Sequence, residues 1–210
     1  MFKDRIEAAR LLADKLASYK DKKAVVLALP RGGAVLGAAV AKKLNLPLGL
    51  VLVRKIGHPY SPEYAIGAVA EGHKPIFNEG EASSMDGDWL KQAVSLARQL
   101  IQQRRELYYG EDFIPPDIAD QVVILIDDGI ATGLTMEAAV LAVRKEGAKS
   151  VIVAVPVASS DSAANLRQLA DKVLVLEPPE SFMGAVGSHY RQFDQVDDDE
   201  VRALLRQSQR

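Results

Sequence analysis

Two adjacent carboxylates followed by a threonine and glycine turn could do chemistry in this chain: Asp127-Asp128-Gly129-Ile130-Ala131-Thr132-Gly133-Leu134-Thr135. A carboxylate pair accepts hydrogen bonds, so it suits the two hydroxyls of a ribose, and it can hold or orient a hydrated magnesium ion. The segment from Ala131 to Thr135 has the opposite character. It leads into a helix-forming run, Met136 to Glu146, that stops at Gly147. A helix start presents unpaired N–H groups and the positive end of a dipole. The backbone there, with the Thr132 and Thr135 hydroxyls as added donors, suits a phosphate monoester. Hydroxyl acceptors and phosphate donors within nine residues describe a sugar phosphate site. Asp-Asp-Gly alone is also an ordinary turn after a strand; Thr-Gly-x-Thr at a helix start is what separates the two readings.

A second set is Leu29-Pro30-Arg31-Gly32-Gly33. Paired glycines let the backbone approach a ligand closely, so N–H groups can converge on an anion, and Arg31 adds a planar cationic fork. By itself Arg-Gly-Gly is more often a surface turn. A third is Arg54-Lys55 at the end of an apolar run, two cations suited to a highly charged leaving group, although basic residues at strand ends are commonly just solvated.

Elements of the right kind surround these residues. Ile6, Ala9, Leu12, Ala13 and Leu16 recur at helical spacing over 4–18. Ala24 to Leu29 reads as a buried strand, 34–44 as a helix and 48–53 as a second strand. A loop rich in proline and glycine is expected over 57–66, with short strands near 67–70 and 75–77. Trp89, Ala93, Leu96, Leu100, Arg104 and Leu107 mark an amphipathic helix ending near Tyr109-Gly110. Then come strand 122–126, helix 135–146, strand 151–155, helix 161–170 and strand 173–176. Strands alternating with helices give an α/β fold around a parallel sheet, whose carboxyl edge binds ligands.

Composition fits a small enzyme. With 210 residues and 48% hydrophobic content, one domain can bury a full core. A net charge of -2 without a basic block argues against a nucleic-acid partner. The absence of cysteine excludes disulfides, thiolate metal sites and a thiol nucleophile, and is compatible with a reducing compartment. The charged start and the lack of about 18 consecutive apolar residues predict neither a signal peptide nor a membrane span, and so a cytoplasmic protein. His58, His73 and His189 are too dispersed for a metal site. An Asp-nucleophile phosphatase would want a second carboxylate at Gly129. No Gly-Lys-Ser or Gly-Lys-Thr supports a P-loop, and Gly32, Gly33 and Gly37 lack dinucleotide spacing.

Four apolar residues, Val123 to Ile126, then two acidic ones and Thr-Gly-x-Thr closely resemble the signature of the type I phosphoribosyltransferases. The resemblance implies a single domain over 1–210 with helices on both faces of a parallel sheet, a helical insertion at 78–116, and a hood and C-terminal helix over 177–210. It implies 5-phosphoribosyl-1-pyrophosphate (PRPP) as substrate, magnesium as cofactor, an acceptor that is a base or related nitrogen nucleophile, and a homodimer. Asp127 and Asp128 would take the ribose hydroxyls as the catalytic and metal-holding pair, the metal reached through water. Ala131, Thr132, Gly133, Leu134 and Thr135 would take the 5-phosphate, and Arg31, Gly32, Gly33, Arg54 and Lys55 the pyrophosphate. The loop 57–64 resembles the family's lid in position, with Tyr60 and Ser61 as lid contacts and Glu63 and Glu71 as candidate metal or base contacts. One departure bears on the acceptor. Family members acting on 6-oxopurines usually carry Asp just before Thr-Gly, where this chain has Ala131, which moves the resemblance toward adenine and uracil enzymes. The tail 178–193 is the candidate hood; Phe182, Tyr190 and Phe193 could stack on a ring, and core packing explains them equally well. A PRPP-binding regulatory protein without transfer is the alternative.

Overall fold

A computed structural model describes residues 1–110 and 113–209, apart from the Glu63 side chain. The expectation for Glu63 therefore lies outside the described residues, as do positions 111 and 112 of the expected insertion.

In chain order the elements are α1 (Arg5–Lys15), β1 (Ala24–Ala28), α2 (Gly32–Leu44), β2 (Leu48–Leu50), β3 (Val53–His58), β4 (Ser61–Ala70), β5 (Ile76–Phe77), α3 (Glu79–Ala82), α4 (Gly87–Tyr109), β6 (Val122–Ile126), α5 (Leu134–Lys145), β7 (Ser150–Val155), α6 (Ser160–Leu169), β8 (Lys172–Val175) and α7 (Asp198–Ser208). Five strands form a parallel sheet in the order β2-β1-β6-β7-β8. Its central strands are apolar throughout because both faces are covered. Alternation along each strand sorts the side chains. Val26, Ala28, Ile124, Ile126, Ile152 and Ala154 join α1, α2 and α7 in one core. Val25, Leu27, Val123, Leu125, Val151 and Val153 face the other way and pack with Met136, Ala139, Val140 and Val143 of α5 and with Leu166 of α6.

That sorting fixes where a ligand can sit. From β1 the chain winds outward to β2, whereas from β6 it winds the opposite way through β7 to β8. Right-handed crossovers in opposite directions put α2 and α5 on opposite faces and leave a crevice beyond the carboxyl ends of β1 and β6. The strands are in register from Ala24 opposite Val122 to Ala28 opposite Ile126, so the loops that follow them emerge side by side.

The expected parallel α/β class and its helices on both faces are present, with one addition and two corrections. The addition is a separate antiparallel sheet, β3-β4-β5. The strand expected over 48–53 ends at Leu50, and Val53 already belongs to the second sheet. The loop expected over 57–66 is largely the start of the ten-residue β4, paired with β3. Proline and glycine misled the reading because they serve the hairpin. The register shifts between Ile56 and His58, and a Cβ on Gly57 would run into the Pro62 carbonyl oxygen, so the glycine permits an irregular close crossing.

Within 78–116, α4 buries Val94, Ala97, Ile101 and Tyr108 along one stripe, and its Tyr109 hydroxyl bonds both the amide (3.0 Å) and the carbonyl (2.9 Å) of Leu50. These two bonds satisfy backbone groups of the edge strand β2. Over 177–209 the chain forms two short 3-10 turns and α7. Among the described residues, no helix is long and apolar enough to cross a membrane.

Candidate active site

The loop after β6 carries the two carboxylates directly into the crevice. Asp127 Oδ1 accepts the Asp128 amide at 2.8 Å, an arrangement that follows from the turn and fixes the Asp127 side chain. Asp128 is held from outside the loop. Arg5 of α1 donates from Nε to its Oδ2 at 2.9 Å, with Nη2 2.8 Å from the same oxygen as an ion pair, while the Tyr190 hydroxyl donates to its carbonyl at 2.6 Å. The two carboxylates are thus electrostatically unlike. Burial, and then the charge of Asp128, push Asp127 well above the usual carboxylate range. Burial also raises Asp128, but the Arg5 guanidinium opposes that rise. Tyr190 is pushed up by burial and by both carboxylates.

Beyond the pair, the backbone is anchored by its carbonyl side. Ile130 bridges to Ala158, and the Ala131 carbonyl accepts from the Ser159 hydroxyl at 2.7 Å and the Ser162 hydroxyl at 2.9 Å. The chain then turns at Gly133, whose φ of +83° is open to glycine and strained for other residues. Gly133 is the N-cap of α5, and no side chain caps that helix. Helix α2 begins in the same way at Arg31, again with no side-chain cap. In contrast α1, α3, α4, α6 and α7 are each capped by the side chain of Asp4, Asn78, Asp86, Ser159 or Asp197. The two α-helices without side-chain caps among the described residues are those that open at the crevice, where their first-turn amides remain available to an anion.

The two loops touch. The Leu29 amide donates to the Ile126 carbonyl at 2.9 Å, and the Pro30–Arg31 peptide is cis. A Cβ on Gly32 would overlap Asp128 Oδ2, and one on Gly33 would lie 2.8 Å from the Ile126 carbonyl oxygen and 2.9 Å from the Asp127 Cα. The paired glycines are therefore required by proximity to the carboxylates. Arg31 points toward α7, with Nη1 3.9 Å from Asp198 Oδ1.

The remaining expected residues are spread over α5, the β3-β4 hairpin and the tail. Ala131 and Thr132 are exposed, and Leu134 and Thr135 half-buried, at the start of α5. Arg54 and Lys55 sit on β3, and they line a cleft of about 430 Å³ against Trp89, Ala93, Leu96 and Leu100 of α4. Burial, and then the nearby charge of Arg104, lower the pKa of the Arg54 guanidinium. Tyr60 lies at the hairpin tip, 93% exposed, and Ser61 begins β4. Glu71 is not brought to the carboxylates; it pairs with Arg105 at 3.4 Å in a separate cavity that also holds His73 and Glu146. Of the tail aromatics, Tyr190 is buried between Phe2 and Phe193, and Phe182 stacks on His189. His189 is 1% exposed, accepts the Met183 amide on Nε2 at 3.0 Å and turns Nδ1 to Glu177. That bonding pattern suits the neutral tautomer protonated on Nδ1 and makes His189 a brace of the tail.

The model of the phosphoribosyl transferase domain matches residues 3–191. The chain belongs to the phosphoribosyl transferase family. Two Mycobacterium tuberculosis relatives, one from each of two strains and each named "putative phosphoribosyl transferase", are 41% identical over 217 aligned residues, which cover 100% of this chain and 47% of theirs. The chain thus spans about half the length of the curated relatives it matches. A Thermus thermophilus protein of known crystal structure superimposes with a TM-score of 0.81 at 40% identity, covering 97% of each chain. The fold is that of the type I phosphoribosyltransferases, with the antiparallel β3-β4-β5 sheet beside its parallel one.

Two residues that meet the candidate site escaped the sequence reading, Arg5 and Asp198, whereas Tyr190, expected either to stack on a ring or to pack in the core, instead bonds the Asp128 carbonyl. Arg5 lies on a packing helix 123 positions from Asp128, and nothing local marks it. Asp198 stands in an acidic helix start that reads as dipole compensation, yet it accepts the Tyr108 hydroxyl and faces Arg31. Only tertiary placement distinguishes these from surface charges.

Proposed function

We propose that this domain transfers the 5-phosphoribosyl group of PRPP to a nitrogen nucleophile, a base or a related compound, with release of pyrophosphate. The observation that carries this reading is the meeting, at one crevice, of two helix starts without side-chain caps and a carboxylate pair. One start suits each anionic end of the substrate, and the pair suits the hydroxyls between them. In this assignment Ala131 to Thr135 take the 5-phosphate and Arg31, Gly32 and Gly33 the pyrophosphate, with Arg54 and Lys55 adding charge as β3 and β4 close over it. Residues 57–64 act as the lid, 78–116 as an insertion and 178–193 as the hood.

A magnesium ion fits the donor set. Among the described residues no cluster of three or more metal-binding side chains exists, so the protein alone offers no cage, but magnesium is commonly held by one or two carboxylates, waters and substrate phosphates. The raised affinity of Asp127 for a proton marks a half-buried carboxylate pair that a nearby cation would relieve. Bound there, magnesium would neutralise charge on the departing pyrophosphate.

The protein's own contribution is positional. Fixing both ends of the sugar leaves C1 as the exposed centre, with the two carboxylates favouring positive charge that builds on the ring as the C1–O bond breaks. The acceptor nitrogen forms the new bond to C1, pyrophosphate departs with the bonding pair, and the proton on nitrogen passes to water. Neither Asp127 nor Asp128 forms a covalent bond. Such a reaction suits the cytoplasm, and a homodimer is the assembly we assign.

Pyrophosphate release from PRPP and magnesium, measured across purine, pyrimidine and pyridine bases, tests the proposal. Release with one base that is absent in Asp127→Asn/Asp128→Asn supports transfer and identifies the acceptor. PRPP binding without release for any acceptor would replace transfer by a PRPP-sensing role.

A further inference from the structure

The geometry points to Arg5 as a positioning residue for the pentose: from α1 it clamps one oxygen of Asp128 and ties that carboxylate to the tail. This role rests on the PRPP reading of the site. Its Nε hydrogen bond and its Nη2 ion-pair contact both end on Oδ2, so the clamp closes on that one oxygen. Its third donor, Nη1, bonds the Asp194 carbonyl at 2.7 Å, and the guanidinium carbon lies 3.9 Å above the Phe193 ring. One planar cation is thus spent on a carboxylate, a main-chain carbonyl and an aromatic face, a combination that lysine cannot reproduce.

The neighbours of this pair are the parts of the site. The position a Cβ would take on Gly32 lies 3.1 Å from Arg5 Nε as well as against Asp128 Oδ2, so the glycine of the Arg31 loop leaves room for the pair. Tyr190, three residues before Phe193, bonds the Asp128 carbonyl. The Arg5 and Asp128 side chains are only 11% and 15% exposed. Ion pairs so far removed from water contribute little net stability relative to apolar packing. The rest of α1 packs through Ala8, Ala9, Leu12 and Ala13 and does not need Arg5 for its core. The pair is better explained by what it fixes: the orientation of a hydroxyl acceptor, held by the element that would cover the acceptor.

The test is calorimetric binding of PRPP with magnesium, and of inorganic pyrophosphate with magnesium, to the wild type, Arg5→Met and Arg5→Lys. Met removes the donors while keeping a chain that packs on Phe193. The expected result for Arg5→Met is an approximately tenfold weaker PRPP Kd, with pyrophosphate affinity within about twofold of wild type, and partial recovery of PRPP affinity in Arg5→Lys. A purely structural role would leave the affinity of folded protein unchanged or weaken both ligands together, and either result overturns the inference. Should Arg5→Met fail to fold, Arg5→Lys decides: PRPP affinity equal to wild type overturns the role, and selective weakening supports it. Absence of PRPP binding by the wild type would overturn the PRPP reading itself and this role with it, whereas a PRPP-binding wild type with an indifferent Arg5→Met overturns the Arg5 role alone.

Discussion

The loop after β6 and the hairpin of β3 and β4 are built on opposite principles. In the loop, the chain path follows from neighbours a few residues away: strand β6 aims it, Asp127 accepts the next amide, Gly133 turns it and α5 begins. The hairpin depends on pairing across the turn and on support from α4 and α5, with an exposed aromatic at its tip. A region that must hold charges against desolvation is locally determined and braced, by Arg5, Ser159 and Ser162. The hairpin instead takes its shape from partners distant in sequence, its own two strands and helices α4 and α5.

Substitution at Gly33 should mark this difference most strongly. An alanine there would set its Cβ against backbone of Ile126 and Asp127, which cannot swing away like a side chain. Gly33→Ala should cost about 1–3 kcal/mol in chemical denaturation and weaken PRPP binding roughly a hundredfold, since both anion loops must shift to relieve the overlap. Wild-type affinity in that variant would show that the two loops are not one site.

The next effect separates the two carboxylates. Asp128→Asn deprives Arg5 of its partner and should destabilise by about 2 kcal/mol. Asp127→Asn can keep the bond to the Asp128 amide and removes a repelled, half-buried carboxyl, so it should leave the free protein as stable as wild type or more so. The pH dependence carries the same sign. Between the ordinary carboxylate pKa of 3.8 and its raised folded value, Asp127 keeps a proton that the unfolded chain releases. Its contribution to stability therefore falls as pH rises through that window. Thermal melts across pH should show this downward slope in wild type relative to Asp127→Asn. Equal slopes would mean that Asp127 is not the half-buried acid.

Sequence reading reached the loop and missed the hairpin for the reason that separates them. Asp127, Asp128 and the turn to α5 are encoded contiguously, and the alternation of apolar strands with helices along the chain revealed the parallel sheet. The hairpin is encoded by partners: Gly57 matters because Pro62 crosses it, and the prolines that suggest a loop are tolerated in a two-strand pairing. Arg5 was illegible for a similar reason, as its partner lies 123 positions along the chain. Arg31 and the glycines were legible as a turn, but only the contact of Gly33 with Asp127 shows why both are needed.

Smaller effects should follow in the cover. Arg54→Ala should weaken pyrophosphate binding about tenfold in calorimetry while leaving the affinity for ribose 5-phosphate unchanged; loss of both would place Arg54 in the fold rather than at the leaving group. Tyr60→Ser should change stability by less than about 0.5 kcal/mol, because its side chain is exposed. A larger loss in denaturation would show the hairpin tip to be packed.

The most direct measurement is calorimetric titration of PRPP, with and without magnesium, into wild type and Asp127→Asn/Asp128→Asn, after circular dichroism has shown the variant to be folded. Magnesium-dependent binding by the wild type that vanishes in the folded variant is the predicted result. Equal affinity in the two proteins would contradict the assignment of the carboxylate pair to the ribose and its metal.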